Sequence, residues 1–530
     1  MLSRVSNPLK SKMFSAKTLL GHASLPMKYS GMSKTNRVIT SKGQRQCRIN
    51  SKAFQQERFE QREKNTNQTN SKHQITKLEK IKKRKENIFQ KMLKELKKIN
   101  DEFHYFNHLE EQAKKGKFYF SVKDCICVKD VPTTAGSRIL NGYLPRFDAT
   151  CVERLKKAGG SFIGMTAMDE FGFGSFSANV GLEKKIPLNP FDKTRSCGGS
   201  SGGAAGFTQK CPDTIKHIAL SESTGGSIAC PASFCGVVGL TPTYGRVSRW
   251  GQIDYASSLD KIGVMAKTVK ECAEALETIS GADGKDATCI NQQKGFVEVL
   301  GKNPNKLKIA ILKEGFDKGV DTEVVTIVKK AVQDIEKHLG IKAEEVSLPL
   351  TMKYGIATYY LLSMTEASTN LAKLCGLRYG QEQEAEGKQF NEYFSEVRSM
   401  HFGTEAKRRI ILGTFARMAG FRDAYYLKAA KIRTLIIEEY KKVFQKYDVL
   451  ISPTMPIVAP TFDEIKRLTP LQSYMLDILT VGPNLAGMPH LSLPCGTVKG
   501  LPAGMLLIAN QWEEKKIIQL GDFYESIRKR

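Results

Sequence analysis

The chain has 530 residues and a formal net charge of +27 at pH 7, so it is long enough for several average domains and basic enough to suggest a nucleic-acid partner. No apolar stretch approaches the ~20 residues that a membrane-spanning helix needs, which argues against a membrane protein. Its twelve cysteines lack metal-ligand spacing and are typical of a reducing compartment.

Most of the positive charge lies near the N-terminus. Residues 1–118 contain 28 Lys and Arg against 10 Asp and Glu, and the rest of the chain is only mildly basic. The first 56 residues contain eleven basic and no acidic side chains, a composition typical of an organelle transit peptide or a disordered basic arm. Such a segment holds too little apolar surface to offset its ordering entropy. We therefore predict a disordered basic extension over residues 1–73 and a folded domain over residues 74–530.

Apolar residues recur at helical spacing between residues 74 and 100, with lysines between them. This pattern predicts a first helix that packs on the domain and turns a basic face to solvent.

The segment of residues 118–128 is aromatic and β-branched and carries one cation, Lys123. The pattern predicts a buried strand with Lys123 near its end. Burial disfavours a charged ammonium because the ammonium loses its hydration, and a neutral amine can accept a proton near pH 7. Lys123 is therefore a candidate general base. None of the eight histidines lies in a segment that resembles a catalytic loop, and the nearest, His217, is expected on a loop surface.

Two Ser-Gly motifs occupy residues 198–203 and 223–227. Glycines allow consecutive backbone N–H groups to converge on one point and hold developing negative charge. The segment that follows, residues 228–240, is too apolar for a flexible linker. The motifs therefore predict a serine nucleophile, Ser227, beside an oxyanion hole.

Strand and helix signals alternate in the C-terminal half. Residues 307–312 are predicted as a strand, residues 323–339 as an amphipathic helix ended by Gly340, and residues 449–452 as a strand stopped by Pro453. No internal repeat is evident. The alternation predicts an α/β fold.

Three motifs in this order resemble the Ser-cisSer-Lys triad of the amidase signature family: Ser-Val-Lys-Asp, Gly-Gly-Ser-Ser-Gly-Gly and Thr-Gly-Gly-Ser. The resemblance covers about residues 75–530. It implies that Ser227 is the acylated nucleophile, that Ser200 is a relay serine whose own peptide bond is cis, and that Lys123 is the base. It also implies one large domain with a central mixed sheet covered by helices on both faces. The implied oxyanion-hole donors are the backbone N–H groups of Thr224, Gly225, Gly226 and Ser227.

The chain departs from the family pattern in two places. The 27 positions from Ser200 to Ser227 exceed the usual spacing, and we expect the polar residues 209–217 to absorb the insertion as a surface loop. The family often has Asp where this chain has Ser223, directly after Glu222. This second departure leaves the hydrogen bonding behind the oxyanion hole open.

Later segments, among them residues 407–415, resemble the branch of the family that releases ammonia from glutamine for a partner subunit. Glutamine carries an α-carboxylate and an α-ammonium, so its pocket needs a forked cation for the first and a carboxylate for the second. By the resemblance, Arg409 holds the α-carboxylate, Asp477 holds the ammonium, and Tyr359 closes the pocket. A solvated helix cation is the alternative role for Arg409, and core packing is the alternative for Tyr359.

The resemblance also implies partners. A B subunit would use ATP and Mg²⁺ to activate misacylated glutamyl-tRNA(Gln) or aspartyl-tRNA(Asn). The tRNA would be bound mainly through this B subunit, and a small C subunit would brace the pair. The chain itself would need no cofactor and no metal. We expect a cytoplasmic protein, or one of the mitochondrial matrix if the basic segment is a transit peptide.

Two other functions stay open at this point. A stand-alone amidase that acts on another amide would share the triad without needing Arg409 or Asp477. A catalytically inactive, basic tRNA-binding scaffold would need neither the triad nor the pocket.

Overall fold

The computed structural model of this protein describes residues 56–61, 63–64, 90–182, 185–384 and 386–528. Residues 56–61 and 63–64 are helical, and the rest of the predicted extension, residues 1–73, lies outside the described residues. Of the helix predicted over residues 74–100, the part that is described begins at residue 90 and continues to residue 103 as helix α1. Leu96 of α1 is buried, as expected for a helix with one apolar face.

Within the described residues, eleven strands form one mixed sheet, in the order β1-β3-β2-β4-β6-β5-β10-β11-β9-β7-β8. The neighbours β2, β3 and β4 run parallel, whereas β6 runs antiparallel to β4. The strands are β1 (Phe106–Leu109), β2 (Phe118–Lys123), β3 (Gly160–Thr166), β4 (His217–Ser223), β5 (Val238–Thr241), β6 (Lys261–Ala266), β7 (Ile309–Leu312), β8 (Glu344–Val346), β9 (Val449–Pro453), β10 (His490–Val498) and β11 (Leu501–Ile508).

Helices cover both faces of this sheet. The α-helices of the described domain are α1, α2 (Thr150–Lys157), α3 (Gly202–Lys210), α4 (Ala229–Cys235), α5 (Val269–Ile279), α6 (Thr322–Leu339), α7 (Pro349–Asn370), α8 (Phe390–His401), α9 (Thr404–Arg417), α10 (Lys428–Phe444), α11 (Phe462–Arg467), α12 (Pro470–Met475), α13 (Val481–Leu485) and α14 (Glu514–Arg528).

Alternation along β10 shows that α4 and α14 lie on opposite faces. Gly239, which pairs with Ser492 of β10, lies against Ala232 of α4. Leu491, the neighbour of Ser492, packs instead against Gly521 of α14. Because successive side chains of a strand point to opposite faces, the two helices enclose the sheet between them. The predicted α/β class, with a mixed sheet covered on both faces, is confirmed.

The predicted elements of the C-terminal half are present with small shifts. The strand predicted over residues 307–312 is β7, which begins two residues later, and the predicted helix is α6. Gly340 ends α6 with a φ of +66°, the left-handed conformation that glycine adopts without steric cost. Pro453 is the last residue of β9.

No helix in the described part of the chain combines the length and the apolar composition needed to cross a membrane.

Candidate active site

Lys123 is the last residue of β2 and is fully buried. Its Nζ lies 2.7 Å from Ser200 Oγ, 3.1 Å from the backbone oxygen of Glu222 and 2.9 Å from Glu222 Oε2. The lysine is therefore paired as well as buried, which a lysine in an apolar strand requires.

Ser200 lies in the loop that leads into α3, and the peptide bond between Gly199 and Ser200 is cis, the geometry that the resemblance implied. Gly199 is needed at this point because a Cβ there would lie 2.2 Å from Asp169 Oδ2. The backbone oxygen of Ser200 accepts a hydrogen bond from the Asp169 N–H at 3.2 Å, and the Asp169 carboxylate accepts from the N–H groups of Ser177 and Asn179. This network holds the Ser200 loop against the segment that follows β3.

Ser227 lies in the turn between β4 and α4, at the end of the second Ser-Gly motif. No described residue accepts a hydrogen bond from the backbone N–H of Gly225, Gly226 or Ser227. The carbonyl oxygen of Gly225 is held by the side chain of Asn484 at 2.8 Å, which fixes the turn. Unpaired N–H groups beside a serine can stabilise an oxyanion that forms there.

A small internal cavity brings Ser227 together with the three residues predicted to bind glutamine. Its lining consists of Gly172, Gly174, Ser175, Gly199, Gly226, Ser227, Tyr359, Tyr360, Arg409 and Asp477. A wider cleft shares four of these residues, Gly174, Ser175, Tyr360 and Arg409, and opens to solvent past α9 and α12. The serine and both charged side chains thus line one cavity.

Arg409 on α9 is 3% exposed, so it is not a solvated helix cation. Its Nε donates to Glu405 Oε1 at 2.9 Å and its Nη1 donates to Tyr255 Oη at 2.5 Å. The guanidinium also lies 5.2 Å from the ring centroid of Phe173 and 5.2 Å from that of Tyr360. These contacts hold the charged fork in one orientation at the cavity wall.

Asp477 follows α12 and is buried beside residues 224–227, here called the serine turn. Its carboxylate accepts hydrogen bonds from Ser175 Oγ at 3.0 Å and from Tyr360 Oη at 2.8 Å. Burial raises the pKa of Asp477 to about 6, although these hydrogen bonds and Arg409 oppose the shift. The cavity therefore holds a fixed cation and an acid whose charge changes near neutral pH.

Tyr359 and its neighbour Tyr360 both line the cavity. The Tyr359 ring lies on the backbone of the serine turn, since a Cβ on Gly225 would be 2.5 Å from Tyr359 Cζ. Tyr360 instead packs its ring against Tyr474 at 4.0 Å and bonds to Asp477. Tyr359 thus contacts the turn, and Tyr360 contacts the acid.

Sequence reasoning missed several residues that complete this site. Glu222 contacts Lys123, and Ser175, Tyr255 and Glu405 hold the two charged side chains. Glu405 could have been found, because it stands four places before Arg409 on one helix face. The others meet their partners across long stretches of chain, and no local pattern marks them.

The prediction that His217 lies on a loop surface is wrong. His217 is the first residue of β4 and is buried, with Nε2 3.0 Å from Ser121 Oγ and Nδ1 3.2 Å from Thr208 Oγ1. Burial lowers the pKa of His217 to about 3, so the ring is neutral at physiological pH. The polar residues next to His217 in sequence suggested a surface loop. Its burial depends instead on β2 and α3, which carry its two hydroxyl partners.

Among the described residues, no group of three or more His, Cys, Asp or Glu side chains is placed to hold a metal ion.

Comparison with known proteins gives consistent similarities. The family model described as Amidase matches residues 108–518. The A subunit of glutamyl-tRNA(Gln) amidotransferase from a Geobacillus species is 47% identical over 407 residues, which are 76% of this chain and 82% of the relative. Its counterpart of the same name from a Sulfurihydrogenibium species is 44% identical over 409 residues, 77% of this chain and 82% of the relative. The crystal structure of the protein of this name from Thermotoga maritima is 34% identical, with a TM-score of 0.69 over 81% of this chain and 90% of that one.

Proposed function

The chain belongs to the amidase family, and from this premise we propose that it is the glutamine-hydrolysing subunit of a tRNA-dependent amidotransferase. The observation that carries the proposal is the shared cavity of Ser227, Arg409 and Asp477. A nucleophile that faces both a forked cation and a carboxylate suits an amide whose other end is an amino acid. The names of the relatives support the same role.

We propose that Ser227 attacks the side-chain amide carbon of glutamine. Its proton passes to Ser200 Oγ, whose own proton passes to Lys123 Nζ, 2.7 Å away. The N–H groups of Thr224, Gly225, Gly226 and Ser227 hold the resulting oxyanion. When the C–N bond breaks, the leaving nitrogen takes the proton back from Lys123 through Ser200 and departs as ammonia. Water then cleaves the ester on Ser227, which releases glutamate.

Glutamine would bind through its charged end. Arg409 would pair with the α-carboxylate and Asp477 with the α-ammonium, while Tyr359 would close the pocket over the serine turn. Ser175 and Tyr360 already hold the Asp477 carboxylate, so the acid does not need to reorganise when the ammonium arrives.

The proposal extends to an assembly. The ammonia would serve a B subunit that uses ATP and Mg²⁺ to activate misacylated glutamyl-tRNA(Gln) or aspartyl-tRNA(Asn), and a small C subunit would brace the pair. No cofactor is proposed for this chain. We propose the cytoplasm as its compartment, or the mitochondrial matrix if the basic segment is a transit peptide.

Substituting Arg409→Lys tests the substrate. Lysine keeps the charge but loses the fork, so we expect KM for glutamine to rise at least about tenfold while hydrolysis of a small neutral amide is unchanged. Arg408→Lys is the matched control, because Arg408 is the preceding residue on α9 and its side chain is 40% exposed. Equal losses on both substrates would favour a stand-alone amidase.

Acid quenching during turnover tests the chemistry. A glutamyl ester on Ser227 should appear by mass spectrometry and should be absent from Ser227→Ala. A wild-type chain that forms no ester and releases no ammonia would favour the inactive tRNA-binding scaffold.

A further inference from the structure

The amine of Lys123 has two contacts with a single residue, Glu222. One is the backbone oxygen at 3.1 Å and the other is the carboxylate oxygen Oε2 at 2.9 Å. Both side chains are buried, at 0% and 3% exposure, so solvent does not screen the pair. A third contact joins the amine to Ser200 Oγ at 2.7 Å.

These three neighbours match the bonding capacity of the amine in both protonation states. A charged ammonium has three N–H donors, one for each oxygen. A neutral amine has two N–H groups and one lone pair. If the two Glu222 oxygens keep the two N–H groups, the lone pair points at the Ser200 hydroxyl. A proton can then move between Ser200 and Lys123 while both contacts to Glu222 stay unchanged, which avoids a reorganisation cost.

The other carboxylate oxygen of Glu222 is also held in place. Thr224 Oγ1 lies 2.6 Å from Glu222 Oε1 and 2.9 Å from Asp260 Oδ1. A hydroxyl has one hydrogen, so it can donate to one of these acids and must accept from the other. Burial and the nearby charge of Glu222 raise the pKa of Asp260 well above its usual range, although hydrogen bonds from Ala256, Thr224 and Tyr255 oppose the shift. The Thr224 hydroxyl thus links the Glu222 carboxylate to Asp260.

We propose that Glu222 is a positioning residue for the catalytic lysine: it orients the free amine toward Ser200 and balances the charge of the ammonium that forms when the proton arrives. The inference rests on the proposed role of Lys123 as the base. Glu222 itself does not line the cavity, so it would not contact glutamine bound there.

Removing the negative charge of Glu222 should change the pH at which the serine becomes reactive. A carboxylate at this distance favours the charged form of a basic partner. The other ionisable groups around Lys123 would remain. They are Cys125 and Asp169, with Asp124 next to Lys123 in the chain and Asp260 on the far side of Thr224.

The experiment measures how fast a fluorophosphonate labels Ser227 in the full-length chain between pH 5 and 10, by intact mass. Glu222→Gln keeps the shape and one acceptor but not the charge. For this variant, we expect the pH at which the labelling rate is half-maximal to move down by about one pH unit or more. We expect the maximal labelling rate to fall at least about tenfold. An unchanged pH profile would overturn the inference, even if the melting temperature fell.

Two further variants separate the effect of the Glu222 charge from a general loss of stability and from a change in side-chain length. Glu514→Gln neutralises a buried glutamate whose carboxylate bonds to Arg246 at 2.8 Å, so it should lower the melting temperature without moving the pH profile. Glu222→Asp keeps the charge on a shorter side chain. Its profile should stay nearer to wild type than that of Glu222→Gln, with a maximal rate reduced at least about tenfold. If Glu222→Gln does not fold, a wild-type rate for Glu222→Asp overturns the inference.

Glutaminase activity, measured in parallel, separates this inference from the proposed function. If the wild-type chain is labelled but does not hydrolyse glutamine, the proposed substrate is contradicted. The role of Glu222 is then decided by the pH profiles of labelling alone. A wild-type chain that hydrolyses glutamine while Glu222→Gln keeps the wild-type profile contradicts the role of Glu222 alone.

Discussion

At the scale of single residues, the cavity contains two opposite charges with different responses to pH. Arg409 stays charged over the whole physiological range, because a guanidinium does not lose its proton in proteins. Asp477 is different, because burial raises its pKa to about 6. The site would thus keep its contact to a carboxylate at all pH values of interest and lose its contact to an ammonium in mild acid.

This difference predicts how glutamine binding depends on pH. Above about pH 6, Asp477 is ionised and can pair with the α-ammonium. Below that pH, the acid is protonated and the pairing is lost, so Kd should rise as the pH falls, approaching ~tenfold per pH unit. Calorimetry on Ser227→Ala measures binding without turnover. Asp477→Asn should bind weakly with a flat profile from pH 5 to 7, and a flat profile for the parent variant would contradict the assignment.

At the scale of secondary-structure elements, strand pairing assembles the proton-transfer residues. The strands β2 and β4 pair in parallel with Val122 opposite Leu220, so Lys123 and Glu222 both lie at the same end of the two strands. Antiparallel pairing of β4 with β6 places Ser223 opposite Lys261, which brings Asp260 to the Thr224 turn. Neighbouring strand ends thus carry Lys123, the Glu222 carboxylate that contacts it, and the serine turn.

Helix packing assembles the glutamine pocket. The helices α7 and α9 carry Tyr359 and Arg409, and they approach closely at Gly413. A Cβ at Gly413 would lie 1.9 Å from the backbone oxygen of Met364 on α7. Glycine is therefore needed at this crossing, one helical turn after Arg409.

Substituting Gly413→Ala should separate the two helices. We expect the free energy of unfolding to fall by about 1–3 kcal/mol and KM for glutamine to rise, because Arg409 moves with α9. Gly355→Ala on α7 is the matched control, since a Cβ there meets Val481 at an ordinary 3.6 Å. That variant should gain roughly 0.5–1 kcal/mol from helix propensity. Denaturant titration compares them, and equal stabilities would contradict the packing argument.

At the scale of the whole molecule, the basic charge and the proposed chemistry occupy different parts of the chain. Residues 1–118 hold 28 of the 81 Lys and Arg but 10 of the 54 Asp and Glu. The candidate catalytic and glutamine-binding residues all lie between Lys123 and Asp477. Any affinity for nucleic acid that arises from the basic segment should therefore be separable from glutamine hydrolysis.

Removing residues 1–73 tests this separation. We expect kcat/KM for glutamine to stay within about twofold of the full-length value, because no proposed site residue is lost. Binding of tRNA, titrated at two salt concentrations, should weaken and lose part of its salt dependence if the segment contacts phosphates. A large loss of glutaminase activity would show that the segment supports the catalytic domain.

The amino-acid sequence by itself determined the family, the α/β class and the elements with strong local signals. Two Ser-Gly motifs and a lysine in an apolar strand identified the family, because their chemistry needs those residue types at short, ordered spacings. The amphipathic pattern that predicted α6 and the glycine that ends it are likewise local signals, set by residues close together in the chain.

Only the tertiary structure decided which side chains meet. Glu222 contacts Lys123 across 99 positions of the chain, and Ser175 contacts Asp477 across 302. The buried His217 meets hydroxyl groups on β2 and α3. Such contacts depend on strand order, register and helix crossings, which bring distant segments together and set the direction of each side chain. Local composition carries none of that information, so the cavity and the carboxylate behind the lysine emerged only from the folded chain.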